Sequence, residues 1–529
     1  MFKPLVLYFC DGYKIAHKRM LAPGTVRLYG TWIPRSVKYA PGNIKKIVSF
    51  GQQLVVRWLH DNFKETFFDQ PVDVAVKFSE DMAKYLGMDF DGNHFVELHK
   101  LGYLPIRIKS LPEGIETNPN IPHMTFINTV DGYAWLTLYL ETIISALAWK
   151  PSTSATIGLQ YRRNLVEWVM KTCPEMAWLI PYLCHDFSAR GLDPWTMISS
   201  GLGHAANFKG SDTIIVIPAA RYFYNEPEDE VAISSVNASE HSVSTTCIFT
   251  MGEVEMLKYW MDAFPKGILS CVMDTMDLTR VVSPEENGYL TILKKMIMVR
   301  DGKLVIRPDS SPKGLNPADM LCGHDNELSN RELEAFFPNF YRKGLIQCLW
   351  EIFGGVEVTG GDGTTKYKLL DSHIGAIYGD SITLDIQVEV YSRLALKSFA
   401  TANTVLGIGS FTYQFNTRDT FGWAAKGAWF ETLINLVREG HDIFKDPMTD
   451  SGMKKSLKGR IQVFNNRPEC NGGELLFDGK DNLEVLAQCT AEQEEGGVLQ
   501  VIYQDGVFYN QITLDEVRKR MEVLSSFNN

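Results

Sequence analysis

The sequence predicts an α/β fold, an irregular β/α barrel joined to a second, discontinuous α+β domain. Between about residues 180 and 411, short apolar, β-branched runs alternate with longer amphipathic stretches. Several of those runs end in Asp, Arg or Gly, as strands do when they deliver polar side chains to a common rim. The flanking stretches mix strand-like and helix-like patterns, with no repeat and no low-complexity linker. We therefore expect the barrel at 151–411, and 1–150 together with 412–529 as the second domain at a dimer interface. A doubly wound open sheet is the alternative, since its ligands also sit at the carboxyl edge.

In chain order, Thr213 to Ile217 follows a Gly-Ser-Asp turn and reads as a short apolar strand, as does Cys247 to Phe249 after Glu240, His241 and Ser242. Ile268 to Met273 runs into Asp274, and Leu304 to Ile306 into Arg307, Pro308, Asp309 and Ser310. Ile374 to Ile377 leads to Gly379 and Asp380, and Val405 with Leu406 to Gly407, Gly409 and Ser410. Val254–Ala263 and Leu384–Ala400 read as helices between them, and Arg331–Phe353 as helical but too long for one helix around Pro338. Thr359 to Thr364, rich in glycine between β-like runs, reads as a hairpin turn.

The chain has 529 residues, 45% of them apolar, and 52 Lys+Arg against 63 Asp+Glu give a net charge of −11. That balance argues against a nucleic-acid coat or a basic membrane-surface protein. Nine cysteines without a CxxC pair indicate neither a zinc knuckle nor a disulfide framework, and a reducing cytoplasm fits them. No stretch reaches eighteen uncharged apolar residues, so we expect a soluble protein.

Arg307 and Asp309 lie two residues apart at a strand end, on one side of the pleat. A fixed cation and a carboxylate so placed suit a sugar phosphate, with Asp274 and Asp277 adding carboxylate to the rim; taken singly, each is equally a local turn or ion pair. Gly379-Asp380 and the Gly407, Gly409, Ser410 stretch are candidate phosphate cradles, although neither matches a Walker A loop or GxGxxG. His185, Asp186, Phe187 and Arg190 gather imidazole, carboxylate, ring and guanidinium, and a flat ligand would stack on Phe187 unless that ring is simply core. Glu240 and His241 point oppositely in an extended run, so His241 needs partners from elsewhere. Arg418, Lys426, Lys445, Lys454, Lys455, Lys458 and Arg460 make a basic stretch that suits pyrophosphate or a solvated face; RNP-like aromatics are missing, which argues against RNA.

Taken together, these motifs resemble the type II phosphoribosyltransferase family, in its nicotinamide phosphoribosyltransferase branch, from Asp11 to about Arg460. Carrying the likeness are His185-Asp186-Phe187 with Arg190-Gly191, Asn207 to Thr213, Ser235 with Glu240-His241-Ser242, Ile306 to Ser310, Gly379-Asp380, Thr417-Arg418-Asp419 and Phe444 to Pro447. The resemblance implies transfer of phosphoribosyl from phosphoribosyl pyrophosphate to nicotinamide in NAD salvage, by a cytoplasmic homodimer with shared active sites. It implies Phe187 on one face of the nicotinamide ring and Tyr13 of the partner subunit on the other. Asp212, with Arg307 and Ser270 near, would accept from the carboxamide. A carboxylate there satisfies an amide donor and repels the carboxylate of nicotinate.

The resemblance further implies Arg190, Asp309 and Asp380 at the phosphoribosyl unit, with Gly379, Gly409 and Ser410 at its 5′-phosphate. Arg190, His241, Arg35, Arg418, Lys426, Lys445 and Lys454 would meet pyrophosphate, and Mg²⁺ would bridge it to Asp309 or Asp274. His241 would be phosphorylated by ATP. Ser188, Ala189, Ser410, Asn237 and Gly12 depart from the residues usual in the family, and of these Ser410 bears on the phosphate loop. A nicotinate-using relative and a non-catalytic binding protein on the same scaffold are the competing readings.

Overall fold

A computed structural model describes residues 3–323, 338–448, 456–470 and 473–526. Its central element is a six-stranded parallel sheet in the order Cys184–Asp186, Thr404–Ile408, Ile374–Tyr378, Leu304–Arg307, Leu269–Val272 and Asn237–Ala238. All but the last strand are almost wholly buried, and the four inner ones read as largely apolar runs rather than as alternating ones, whereas Cys184–Asp186 carries no such run and is not marked as a strand by sequence. Parallel bridges from Asp186 to Ser211 and from Gly210 to Ser234 carry the sheet edge round towards the Asn237 strand. The sheet therefore curls as a barrel rather than lying open.

A second sheet is antiparallel: Val437–Asp442, Ala424–Ile434, Thr25–Ile33, Met124–Asn128, Ile106–Ser110, Gln500–Gln504 and Val507–Phe508. It draws strands from both ends of the chain. The 39-residue helix Ala134–Thr172, roughly 58 Å long, ties the two sheets together. Near its start Thr137 donates to Leu28 O at 3.0 Å, and further along Tyr161 donates to Ile382 O at 3.0 Å. Gly51 is required beside this helix, because its φ is 90° and a Cβ there would stand 2.4 Å from the Pro151 ring.

Two short runs expected as strands are helical instead. Thr213–Ile217 enters the helix Val216–Tyr224, where Pro218 sits in the first turn and needs no N–H partner. Cys247–Phe249 lies inside the helix His241–Met251, so the extended geometry expected around His241 is also replaced by a helix start. The hairpin at 359–364 joins Gly355–Thr359 to Lys366–Leu370. The helices expected at Val254–Ala263 and Leu384–Ala400 span Glu253–Ala263 and Leu384–Leu396. Of the expected 331–353 helix, Pro338–Phe353 is described and breaks at Gly344, where φ is 76°; 331–337 lie outside the described residues.

Candidate active site

The carboxyl ends of the parallel strands open into a cleft of about 470 Å³ lined by Asp186, Phe187, Ala189, Arg190, Asp212, Arg307, Asp309, Gly379 and Asp380. Residues singled out in the sequence thus converge from separate segments, as strand ends of a barrel must.

Phe187 is held by close backbone approaches. A Cβ on Gly407 would lie 2.3 Å from its ring, one on Gly379 2.8 Å, and one on Gly409 3.0 Å from the Phe187 carbonyl carbon. Glycines expected to cradle phosphate therefore also form the seat of the aromatic ring. The turn after the ring is braced by Asp186, a fully buried carboxylate that accepts from Ser188 N at 2.9 Å and from the Thr213 hydroxyl at 2.7 Å. Behind the Ser410–Gln414 turn, buried Lys150 donates to Tyr413 O and to Asn416 Oδ1 (2.7 Å), and burial pushes its ammonium down to about 8. Asp186 belongs to the His185-Asp186-Phe187 motif read from the sequence, whereas Lys150, one polar residue in a long helical stretch, is not marked as a site residue by sequence.

Asp212 accepts from His185 Nε2 at 3.0 Å and from the Ser235 hydroxyl at 2.5 Å, both on Oδ1. Burial pushes its carboxyl up, but the bonds and charge from His185, the Ser235 bond and the field of Arg307 outweigh that and hold it below the ordinary carboxylate range. Arg307 donates through one terminal nitrogen to Ser239 O at 2.6 Å, while its buried Nε has no hydrogen-bond partner among the described residues. A buried guanidinium N–H so placed is a donor suited to a ligand acceptor.

His241, at the start of its helix, finds its partner 33 residues on: Nε2 lies 2.9 Å from Asp274 Oδ1. The second Asp274 oxygen accepts from Asp309 N at 2.8 Å and from the Ser310 hydroxyl at 2.6 Å. Asp274 is thus a post between the His241 helix and the Arg307-Asp309 loop. Asp380 is followed by Ser381 at φ 54°, whose hydroxyl reaches the Asp380 carboxylate at 3.1 Å.

The other expected residues stand apart from these cleft walls. Ser270 is buried in its strand, where its carbonyl accepts from Ser239 N at 2.9 Å. Tyr13 is exposed and packs on His17. Arg35 donates to Gly422 O at 3.0 Å, Arg418 approaches Asp419 at 3.4 Å, and Lys426 pairs with Glu141 at 3.2 Å. Lys445 is exposed, and Lys454 lies outside the described residues.

Residues 182–514 match the model of the Nicotinate phosphoribosyltransferase (NAPRTase) family. A nicotinamide phosphoribosyltransferase of Acinetobacter baylyi is 37% identical, covering 98% of this chain and 97% of the relative. One of Mycoplasma pneumoniae is 28% identical, over 87% of this chain and 97% of that relative. Among solved structures, human nicotinic acid phosphoribosyltransferase aligns with a TM-score of 0.52 at 14% identity, over 98% and 93% of the two chains. Nicotinate-nucleotide pyrophosphorylase of Pyrococcus furiosus aligns at 0.53 and 12% identity, over 98% and 95%. At that identity the structures speak for the fold alone, and it is the extent of the sequence matches that decides membership: this chain is a pentosyltransferase enzyme of the nicotinate phosphoribosyltransferase family.

Proposed function

We propose that the enzyme transfers phosphoribosyl from phosphoribosyl pyrophosphate to nicotinamide, giving nicotinamide mononucleotide and pyrophosphate in NAD salvage. The observation that carries this reading is the ionised Asp212 carboxylate in the cleft wall with Phe187 and Arg307. A pyridine ring on Phe187 would offer its amide N–H to Asp212 and its amide oxygen to Arg307 Nε. A carboxylate in the same place would meet Asp212 as a like charge.

The attacking pyridine nitrogen carries its own lone pair, so no general base is required: the N–C1 bond forms as the C1–O bond to pyrophosphate breaks. Asp309 and Asp380 are the carboxylates available to the ribose and to its developing positive charge, and Arg190 to the departing anion. Among the described residues no three His, Cys, Asp or Glu side chains form a ready-made metal cage. Mg²⁺ takes one or two carboxylates and otherwise water and substrate phosphate. Asp309 is the better ligand, because both Asp274 oxygens already accept protein hydrogen bonds. When bound, Mg²⁺ would neutralise leaving-group charge.

His241 is our candidate acceptor of the ATP γ-phosphoryl group. A carboxylate only accepts, so Asp274 fixes the proton on Nε2 and leaves Nδ1 as the nucleophilic nitrogen. There the P–N bond would form as the P–O bond to ADP breaks. We take the enzyme to act as a homodimer in which Arg35, Arg418, Lys426, Lys445 and Lys454 reach the neighbouring site. In the described residues no helix is long and apolar enough to cross a membrane.

The test is competition between equal nicotinamide and nicotinate, with phosphoribosyl pyrophosphate and Mg²⁺, with and without ATP. Nicotinamide mononucleotide as the sole product, increased by ATP and lost with EDTA, is expected. Nicotinate mononucleotide would overturn the substrate assignment, and no product from folded protein would leave a binding role.

A further inference from the structure

We propose that His185 is a specificity-determining positioning residue: with Ser235 it pins the Asp212 carboxylate in the ionised, fixed orientation that separates an amide ligand from an acid one. The inference rests on the nicotinamide reading above and extends it to a residue that touches Asp212 rather than the ligand.

Two donors from different segments converge on one oxygen. His185 comes from the Cys184–Asp186 strand and lies 3.0 Å from Asp212 Oδ1, and Ser235 comes from the segment entering the Asn237 strand and reaches the same atom at 2.5 Å. Because an ionised carboxylate only accepts, Nε2 of His185 carries the proton and donates it. With both bonds on Oδ1, rotation of the carboxylate is arrested and Oδ2 is left as the acceptor for a ligand. Loss of either donor removes support for the charged form.

The imidazole is itself fixed. His185 pairs with Gly407 across the parallel sheet, and its side chain is almost fully buried. Its ring lies 5.0 Å from that of Phe187, on the same side of the strand, two residues apart. A Cβ on Gly210 would stand 3.0 Å from its Nδ1, so glycine there gives the ring its room. One short strand and the residue that follows it therefore carry the donor that orients the discriminating carboxylate and the ring platform. The charged and titratable groups around the pair include Arg307, which faces Asp212, the buried Asp186 carboxylate beside His185, and His204, which feels both Asp186 and His185.

A nicotinate carboxylate opposite this assembly cannot relieve repulsion by turning Asp212 aside or by protonating it. Without His185 only the Ser235 bond opposes either escape. Preference, rather than turnover, is what His185 controls.

The experiment measures kcat and KM for nicotinamide and nicotinate in the wild-type enzyme and in His185→Phe, His185→Gln, Ser235→Ala, Asp212→Asn and the His185→Phe/Asp212→Asn double variant. His185→Phe is expected to cut the amide-over-acid ratio of kcat/KM roughly tenfold or more, through a lowered nicotinate KM and a raised nicotinamide KM, with the melting temperature near wild type. His185→Gln, which retains an N–H donor, restores most of the ratio. In the Asp212→Asn background His185→Phe changes the ratio no further, because its effect runs through that carboxylate. A folded His185→Phe enzyme with the wild-type ratio overturns the inference while leaving the substrate reading intact. A wild-type enzyme that prefers nicotinate overturns both. Should His185→Phe fail to fold, Ser235→Ala on its exposed segment tests the same pinning through the second donor: a lowered ratio is expected, and an unchanged one overturns the inference.

Discussion

At the scale of single residues, the cleft depends on side chains that are absent as much as on those present. Gly407→Ala would drive a Cβ to 2.3 Å from the Phe187 ring, and no backbone freedom at a strand end absorbs that. We expect loss of about 1–3 kcal/mol of stability and a raised KM for the pyridine substrate, checked by denaturant titration and initial rates. Asp212→Asn removes the like charge that repels an acid ligand, and the expected outcome is erosion of the amide-over-acid preference by about tenfold in a competition assay. His241→Ala is expected to abolish ATP stimulation while basal transfer persists, since its bond to Asp274 joins it to the rim without placing it on the ring. Retained coupling would remove His241 from that role.

At the scale of elements, helix starts aim the site. Asp193 caps the helix Pro194–Ala205, accepting from Trp195 N at 3.0 Å and Thr196 N at 3.1 Å, with Pro194 occupying the first helical position. Asp193→Ala should cost about 1 kcal/mol, read as a lower denaturant midpoint. The C-terminal helix Leu514–Ser525, which carries no motif, acts as a clamp. Buried Arg518 donates to Ala205 O at 2.6 Å and to Ala232 O, three residues before Ser235. Arg518→Met strands two carbonyls that this cation serves and should destabilise the enzyme by about 2–4 kcal/mol, again measured by denaturant. The runs that turned out helical belong at this scale too: Cys247–Phe249 has the composition of a buried strand, yet Phe249 is exposed on a helix. Three apolar residues carry no period, and their surroundings choose the conformation.

For the molecule as a whole, burial of neutral imidazoles sets an acid limit. Burial pushes His94 and His123 down to about 3 and His204 to about 4, far below the ordinary histidine value near 6.5. A group whose folded value is lowered binds fewer protons folded than unfolded. Its stabilisation is therefore complete above about pH 6.5 and is lost as pH falls towards the folded value. Each contributes a slope of up to about 1.4 kcal/mol per pH unit in that window, so unfolding free energy should fall steeply below about pH 6. His123→Gln should flatten part of that fall, as read from denaturant titrations between pH 4 and 7.

The sequence by itself determined the barrel class and most of its rim. Buried parallel strands must be apolar throughout, and the polar residues that end them at Arg307, Asp309, Gly379 and Asp380 stand out against that background. Arg307 closes its strand and Asp309 stands two residues beyond it, and both reach the cleft. Only the tertiary structure decided the partners. The bonds from His185 to Asp212 and from His241 to Asp274 join residues 27 and 33 positions apart, and no local period encodes such distances. The same holds for Asp186, Lys150 and Arg518, whose burial follows from strand closure and helix docking rather than from their neighbours in the chain. Covalent geometry writes alternation into sequence, whereas convergence is set by how whole elements pack.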